Sequence, residues 1–484
     1  MGNNLREEIE SFLRDLTCEY YKYGSGQKEH LDLAPIYKKY AHIFEIDTIN
    51  AIPPEERKLR GFLINSYLNN ATKKILESIA KKKSEKRFYL NEQEITFSQL
   101  QVLIQNLHNR EDRKKLHELK IEFVKELEPL YREYLKGVYS EVVKFSYGKY
   151  FEFMERIQNI DFSHYRDAFY FFLKETERIY THNMNKYLLL KMNISLNSAT
   201  LYDTPYFFRA REFDNKFKAK YLKDFLTEFL LNLGIDIEKQ KNVHLDLEVR
   251  PTKSPRAFCA PCEVPNNVYL CVLPQGGYRD YETTLHEMGH TQHFAHTSCT
   301  LRIEDRTMGD MGLSEVYAFL FQYLLTDPVF VEYYFDIYGE DLDHFIKHIM
   351  LARLFLGRRY VGKFLYEYDL HKTENIEKSE DMYREHLTKA LFIKIPKELA
   401  LFDLDMGFYS ANYLRAWFAE AMLSEFLRTK FGKKWFINKK AGNLLKELWF
   451  EGKRWQIEEM LDKVTGRPFD MAPLIESFKG ILRT

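Results

Sequence analysis

Apolar residues recur three and four positions apart along most of this chain, with charged residues on the opposite face, which is the signature of amphipathic helices. The spacing predicts helices over 5–22, 55–82, 112–145, 163–190 and 213–233. Near residue 243 the period shortens to two: His244 to Arg250 (HLDLEVR) alternates as a strand does. Pro251 to Pro255 reads as a turn, and Ala257 to Ala260 and Val268 to Leu273 read as two further short strands. After Pro274-Gln-Gly-Gly277 the helical period returns, with a His-rich helix around 283–297 and further segments at 313–326, 339–355, 407–431 and 439–452. The expectation is a mainly α protein with one small β-sheet placed just ahead of the His-rich helix. Residues 1–200 read as an N-terminal helical lobe without a chemical motif, and 201–484 as the lobe that carries the chemistry.

Composition narrows the partners. A chain of 484 residues can bury a core large enough to hold an internal cleft. Lys plus Arg and Asp plus Glu both number 71, so no net field recommends a nucleic acid or an anionic membrane. Five cysteines, an odd and small number, argue for a reducing, cytoplasmic setting rather than a disulfide framework. The opening MGNNLREEIESF lacks the layout of a signal peptide, and the longest apolar run, Tyr317 to Leu325, falls far short of the roughly eighteen residues a membrane span needs.

Candidate chemistry concentrates in TTLHEMGHTQHFAHT, residues 283–297. On a helix His286 and His290 lie one turn apart and can offer ring nitrogens to one ion, while Glu287 turns toward the adjoining space, the geometry of H-E-x-x-H. A catalytic zinc needs a third protein ligand, and two residues compete for that place. His296 stands where the metzincin pattern has its third histidine, but that pattern breaks the helix with a glycine where this chain has His293. Glu315 lies in a very apolar segment that starts near Gly312 and Ser314, where an unpaired carboxylate is costly and a metal would relieve the cost.

His286-Glu-Met-Gly-His290, followed by a glutamate twenty-five positions after the second histidine, resembles the thimet oligopeptidase and oligoendopeptidase F family of zinc metallopeptidases. The resemblance implies a two-lobed, mainly helical fold around a deep channel with a small β-sheet beside the active site. It implies one Zn2+ per chain on His286, His290 and Glu315, with Glu287 as general base for a metal-activated water that cleaves oligopeptides. It also implies oxyanion donors from the segment Asp405 to Trp417, where Tyr409 and Tyr413 are the candidates. This chain departs from the family there: the histidine expected before Gly407 is missing, near Asp403, and Arg415 occupies the place of an oxyanion tyrosine. Arg415 then reads as a charge stabiliser or as a clamp for a substrate carboxylate. Arg256 to Ala260 looks like the edge strand along which the family holds its substrates, so Ala260 is a substrate-binding candidate.

Other readings stand beside this one. The chain reads as an oligopeptidase with peptide substrates, no nucleic-acid or membrane partner, and a monomeric or homodimeric state. A metallocarboxypeptidase of similar fold, or a catalytically inactive peptide-binding relative, are the alternatives. Cys259-Ala-Pro-Cys262 has the spacing of a redox pair but lacks the following helix that would activate the first thiol, so buried thiols are the expectation.

Overall fold

The computed structural model describes residues 2–483. The chain is mainly α, as the periodicity predicts, and its described residues form two compact units. The elements that build the site and its surroundings are, in chain order, α1 (Gly2–Gly24), α2 (Arg57–Glu85), β1 (Arg87–Leu90), β2 (Gln93–Thr96), α3 (Arg110–Val142), α4 (Phe162–Met192), α5 (Leu222–Asn232), β3 (Val243–Asp246), β4 (Phe258–Glu263), β5 (Asn267–Cys271), α6 (Tyr278–His296), α7 (Met311–Gln322), α8 (Gly339–Thr373), α9 (Tyr409–Phe431), α10 (Lys439–Phe450) and α11 (Ile457–Thr465).

The first unit comprises Met1–Arg60, Ala210–Lys347 and Arg415–Glu476. Its sheet has the order β3-β5-β4, with β3 parallel and β4 antiparallel to the central strand. Side chains of β4 alternate between two neighbours. Ala260 and Cys262 pack with Tyr21 and Cys18 of α1, while the amide of Cys259 reaches Glu287 of α6. Helix α7 is apolar around nearly its whole circumference and is buried from Gly312 to Phe321, which makes it the core helix of the unit. Ser314 and Glu315, Ala318 and Gln322 recur at helical spacing on its one polar-bearing face, and that face meets α6. Gly289 permits the approach: a Cβ there would lie 2.5 Å from the carbonyl oxygen of Tyr317 and 2.6 Å from Cα of Ala318.

The second unit comprises Gly61–Arg209, His348–Leu414 and Ser477–Thr484. Long helices dominate it, and Phe162 stacks on Phe408 at 4.1 Å in its core. Arg358, almost fully buried, is satisfied by the carbonyls of Leu173 and Ala390 and by Thr176.

Four local readings of the sequence are corrected. The region expected to be wholly helical contains the hairpin β1–β2, turned through Asn91 and Glu92, both at positive φ. Its Arg, Gln and Glu residues mask the alternation. The helix expected from 213 begins only at Leu222, because two 3-10 turns precede it and the carbonyl of Phe217 is drawn off to the amide of Gly277. The strand expected to run to Arg250 stops at Asp246. That carboxylate gathers Tyr21, Arg250 and Lys253, and the chain folds back to bring the two cations to it. The segment expected at 339–355 continues to Thr373. No helix among the described residues is long and apolar enough to cross a membrane.

Candidate metal centre

Two helices of the first unit build the site. On α6 the half-exposed residues His286, Glu287, His290 and Phe294 share one side, and the buried residues Leu285, Met288 and Gln292 anchor the other. Helix α7 is capped by Asp310, whose carboxylate accepts the amide of Gly312 at 2.9 Å. The helix therefore starts at Met311, one residue before the start that the sequence suggested near Gly312 and Ser314, and Asp310 is its cap.

His286, His290 and Glu315 each offer one ligand atom, and these atoms lie within 4.8 Å of one another. Oε2 of Glu315 stands 3.4 Å from Nε2 of His286 and 3.5 Å from Nε2 of His290. Among the described residues this is the only group of three or more such side chains placed to hold an ion. The cysteines form no such group, and all five are free thiols. Burial lowers the pKa of His286, helped by the neighbouring His290. For His290 burial acts in the same downward direction, but Glu315 and Glu287 outweigh it and the pKa rises.

The outer hydrogen bonds fix the tautomers. Nδ1 of His286 lies 2.8 Å from Oε1 of Gln322, an atom that only accepts, so Nδ1 carries the proton and Nε2 presents a lone pair. Gln322 is held in that orientation by donating through Nε2 to Glu282, which also receives Tyr278 and Arg279. On the other side Nδ1 of His290 lies 2.8 Å from Oγ of Ser314, Nδ1 of His293 lies 3.2 Å from the same oxygen, and Nε2 of His293 lies 3.2 Å from the carbonyl of Gly452. The carbonyl can only accept, which sets the direction of the relay: His293 donates to Gly452, Ser314 donates to His293, and His290 donates to Ser314. Burial holds His293 neutral, with its pKa pushed down to about 3. In their neutral form both candidate ligands thus present a bare Nε2 toward Glu315. Two neutral imidazoles with oriented Nδ1–H groups and one carboxylate are the donor set that suits zinc.

Glu287 accepts the backbone amide of Cys259 on edge strand β4 through Oε2 at 2.9 Å. Ala260, the next residue, is buried and pairs with Tyr269 in the sheet register. Arg415 is 1% exposed and lies between Asp310 at 2.8 Å and Glu458 at 2.7 Å. Its guanidinium thus braces the residue that caps α7. Tyr409 and Tyr413 belong to the second unit, where their rings lie 4.5 Å apart and Tyr413 stacks on Tyr360. His296 turns its Nδ1 back to the carbonyl of Gln292 and is not part of the ligand group. Sequence reading did not single out Gln322 or the role of Ser314, although both lie on the α7 face that Glu315 marks.

No protein-family profile and no curated protein matches the sequence. The fold is similar to that of a crystal structure described as "a putative oligoendopeptidase F from Bacillus anthracis str. Ames", with a TM-score of 0.60 and 15% sequence identity. The likeness covers 98% of this chain and 85% of that one, and it is a likeness of fold.

Proposed function

We propose that this chain is a zinc-dependent metallopeptidase that hydrolyses peptide bonds in oligopeptides, with His286, His290 and Glu315 as the ligands. The observation that carries the reading is the convergence of two Nε2 atoms and one carboxylate within 4.8 Å, backed by outer hydrogen bonds that hold a proton on each Nδ1 and so assign Nε2 to the metal in the neutral rings. Zinc bound there would polarise the scissile carbonyl and make water nucleophilic near neutral pH.

The remaining work falls to the chain. Glu287 is the general base: it takes the proton of the attacking water and passes it to the leaving amine. Its hydrogen bond from Cys259 keeps the carboxylate beside strand β4, where an extended peptide would lie beside Ala260 and donate its amides to the outward carbonyls of residues 259 and 261. Tyr409 and Tyr413 are proposed as donors to the oxyanion. Arg415 acts through Asp310 as a positioning residue for the helix that presents Glu315. One zinc per chain, a cytoplasmic location and a monomeric or homodimeric state complete the proposal.

The test is product analysis by mass spectrometry of a mixed peptide pool incubated with the wild type and with Glu287→Gln, at matched metal content. Cleavage by the wild type alone is expected. No cleavage by either protein with zinc bound would refute the peptidase reading and favour a peptide-binding relative.

A further inference from the structure

The loop between α10 and α11 is fastened to the end of α6. The amide of Ser298 donates to the carbonyl of Phe450, His293 donates to that of Gly452, and the amide of Lys453 donates to the carbonyl of Asp305 at 2.6 Å. Gly309 admits the loop, since a Cβ there would fall 1.8 Å from the carbonyl oxygen of Lys453. The backbone of Lys453 is therefore fixed, and its half-buried side chain extends over Phe294, with Nζ 5.4 Å from the ring centroid. Phe294 follows His290 by one turn on the same side of α6, and the two rings lie 6.5 Å apart and nearly parallel. Those two spacings bound how far the ammonium stands from His290.

Among the described residues no carboxylate is in ion-pair contact with this ammonium. Glu315 and Asp310 act on it only through space. A desolvated cation without a contacting anion is costly, and an arriving anion would relieve that cost. An ion held by His286, His290 and Glu315 would draw on the charge of Glu315 and leave the ammonium more attractive to an anion. Out of contact with Glu315, the ammonium is poorly placed for an oxyanion at the scissile carbon, which needs a donor within about 3 Å. It is well placed for a group further along an extended peptide, where each residue spans about 3.3–3.6 Å.

We infer that Lys453 binds the free C-terminal carboxylate of the substrate, so that this protein releases short fragments, one to about three residues long, from peptide C-termini. The inference rests on the peptidase reading above and names its substrate class.

The experiment compares one peptide as free acid and as C-terminal amide. Calorimetric binding to zinc-loaded Glu287→Gln measures affinity, and turnover by the active protein measures kcat/KM. A charge-assisted contact in a half-buried site predicts about a tenfold to hundredfold preference for the acid in both measurements. Lys453→Met in each background should bring the ratio close to one, and Lys453→Arg should retain it; thermal unfolding of each variant reports that it is folded. A wild-type ratio near one, or a Lys453→Met variant that keeps the wild-type ratio, would overturn the inference. The calorimetric arm reads the carboxylate preference even if no peptide is cleaved, so failure of the peptidase reading is separable from failure of this one.

Discussion

Replacing Arg415 with Met would remove the guanidinium from between Asp310 and Glu458. Asp310 is 2% exposed and Glu458 35% exposed, so the two losses differ in kind. Stripping a buried carboxylate of its partner costs about 3–5 kcal/mol. Asp310 would keep the amides of Gly312 and Ile457, which places the expected loss near the lower end, about 3 kcal/mol. Glu458→Gln should cost about 1 kcal/mol or less, since solvent screens that half of the network. Because Asp310 fixes the start of the helix that presents Ser314 and Glu315, Arg415→Met should also weaken zinc binding by about tenfold to hundredfold, the usual cost of disturbing a support of a ligand. Urea unfolding of both variants and zinc competition against a chromophoric chelator measure the two effects. If Arg415→Met kept wild-type stability and zinc affinity but lost its discrimination between peptide acids and amides, the guanidinium would be a substrate clamp and the bracing argument would be wrong.

Two further outcomes follow from the same geometry. Gln322→Leu removes the acceptor that fixes the His286 tautomer and should weaken zinc affinity by about tenfold to hundredfold; an unchanged affinity in the same competition assay would show that the tautomer needs no such support. In the second unit, burial pushes the pKa of His371 down to about 3, below its ordinary value of 6.5, so the folded state binds fewer protons than the unfolded one and stability is lost as pH falls from 6.5 toward 3. Denaturant titrations between pH 7 and 5 should therefore show a shallower loss for His371→Gln than for the wild type, and equal slopes would refute the assignment.

The parts of the site that are legible in the sequence are those whose geometry lies within one helix. His286, Glu287 and His290 are placed by helical spacing alone, and the strand alternation locates the sheet beside them. Glu315 is legible because a carboxylate in so apolar a segment demands a reason. The relay through Ser314 and His293 is not, because it crosses from one helix to another and ends on a backbone carbonyl of a distant loop, which leaves no spacing pattern. Gln322 lies two turns beyond Glu315 on the same face of α7, and that register is the signal that points to it. Lys453 is separated from the candidate ligands by more than a hundred residues, and its position follows from backbone contacts of Gly309 and Asp305 that no side-chain pattern encodes. Asp310 is hard to recognise as a cap because its second role, holding Arg415, comes from a segment far along the chain.

The edge of β4 has a consequence for how this protein meets other copies of itself. Residues 259 and 261 point their backbone away from β5, yet the amide of Cys259 is taken by Glu287 and residue 261 is a proline with no amide to give. Along that stretch the border of the sheet can accept hydrogen bonds but has almost none to donate. A second β-strand seeking to extend the sheet would find every other bond missing, so the open border resists runaway strand addition and aggregation.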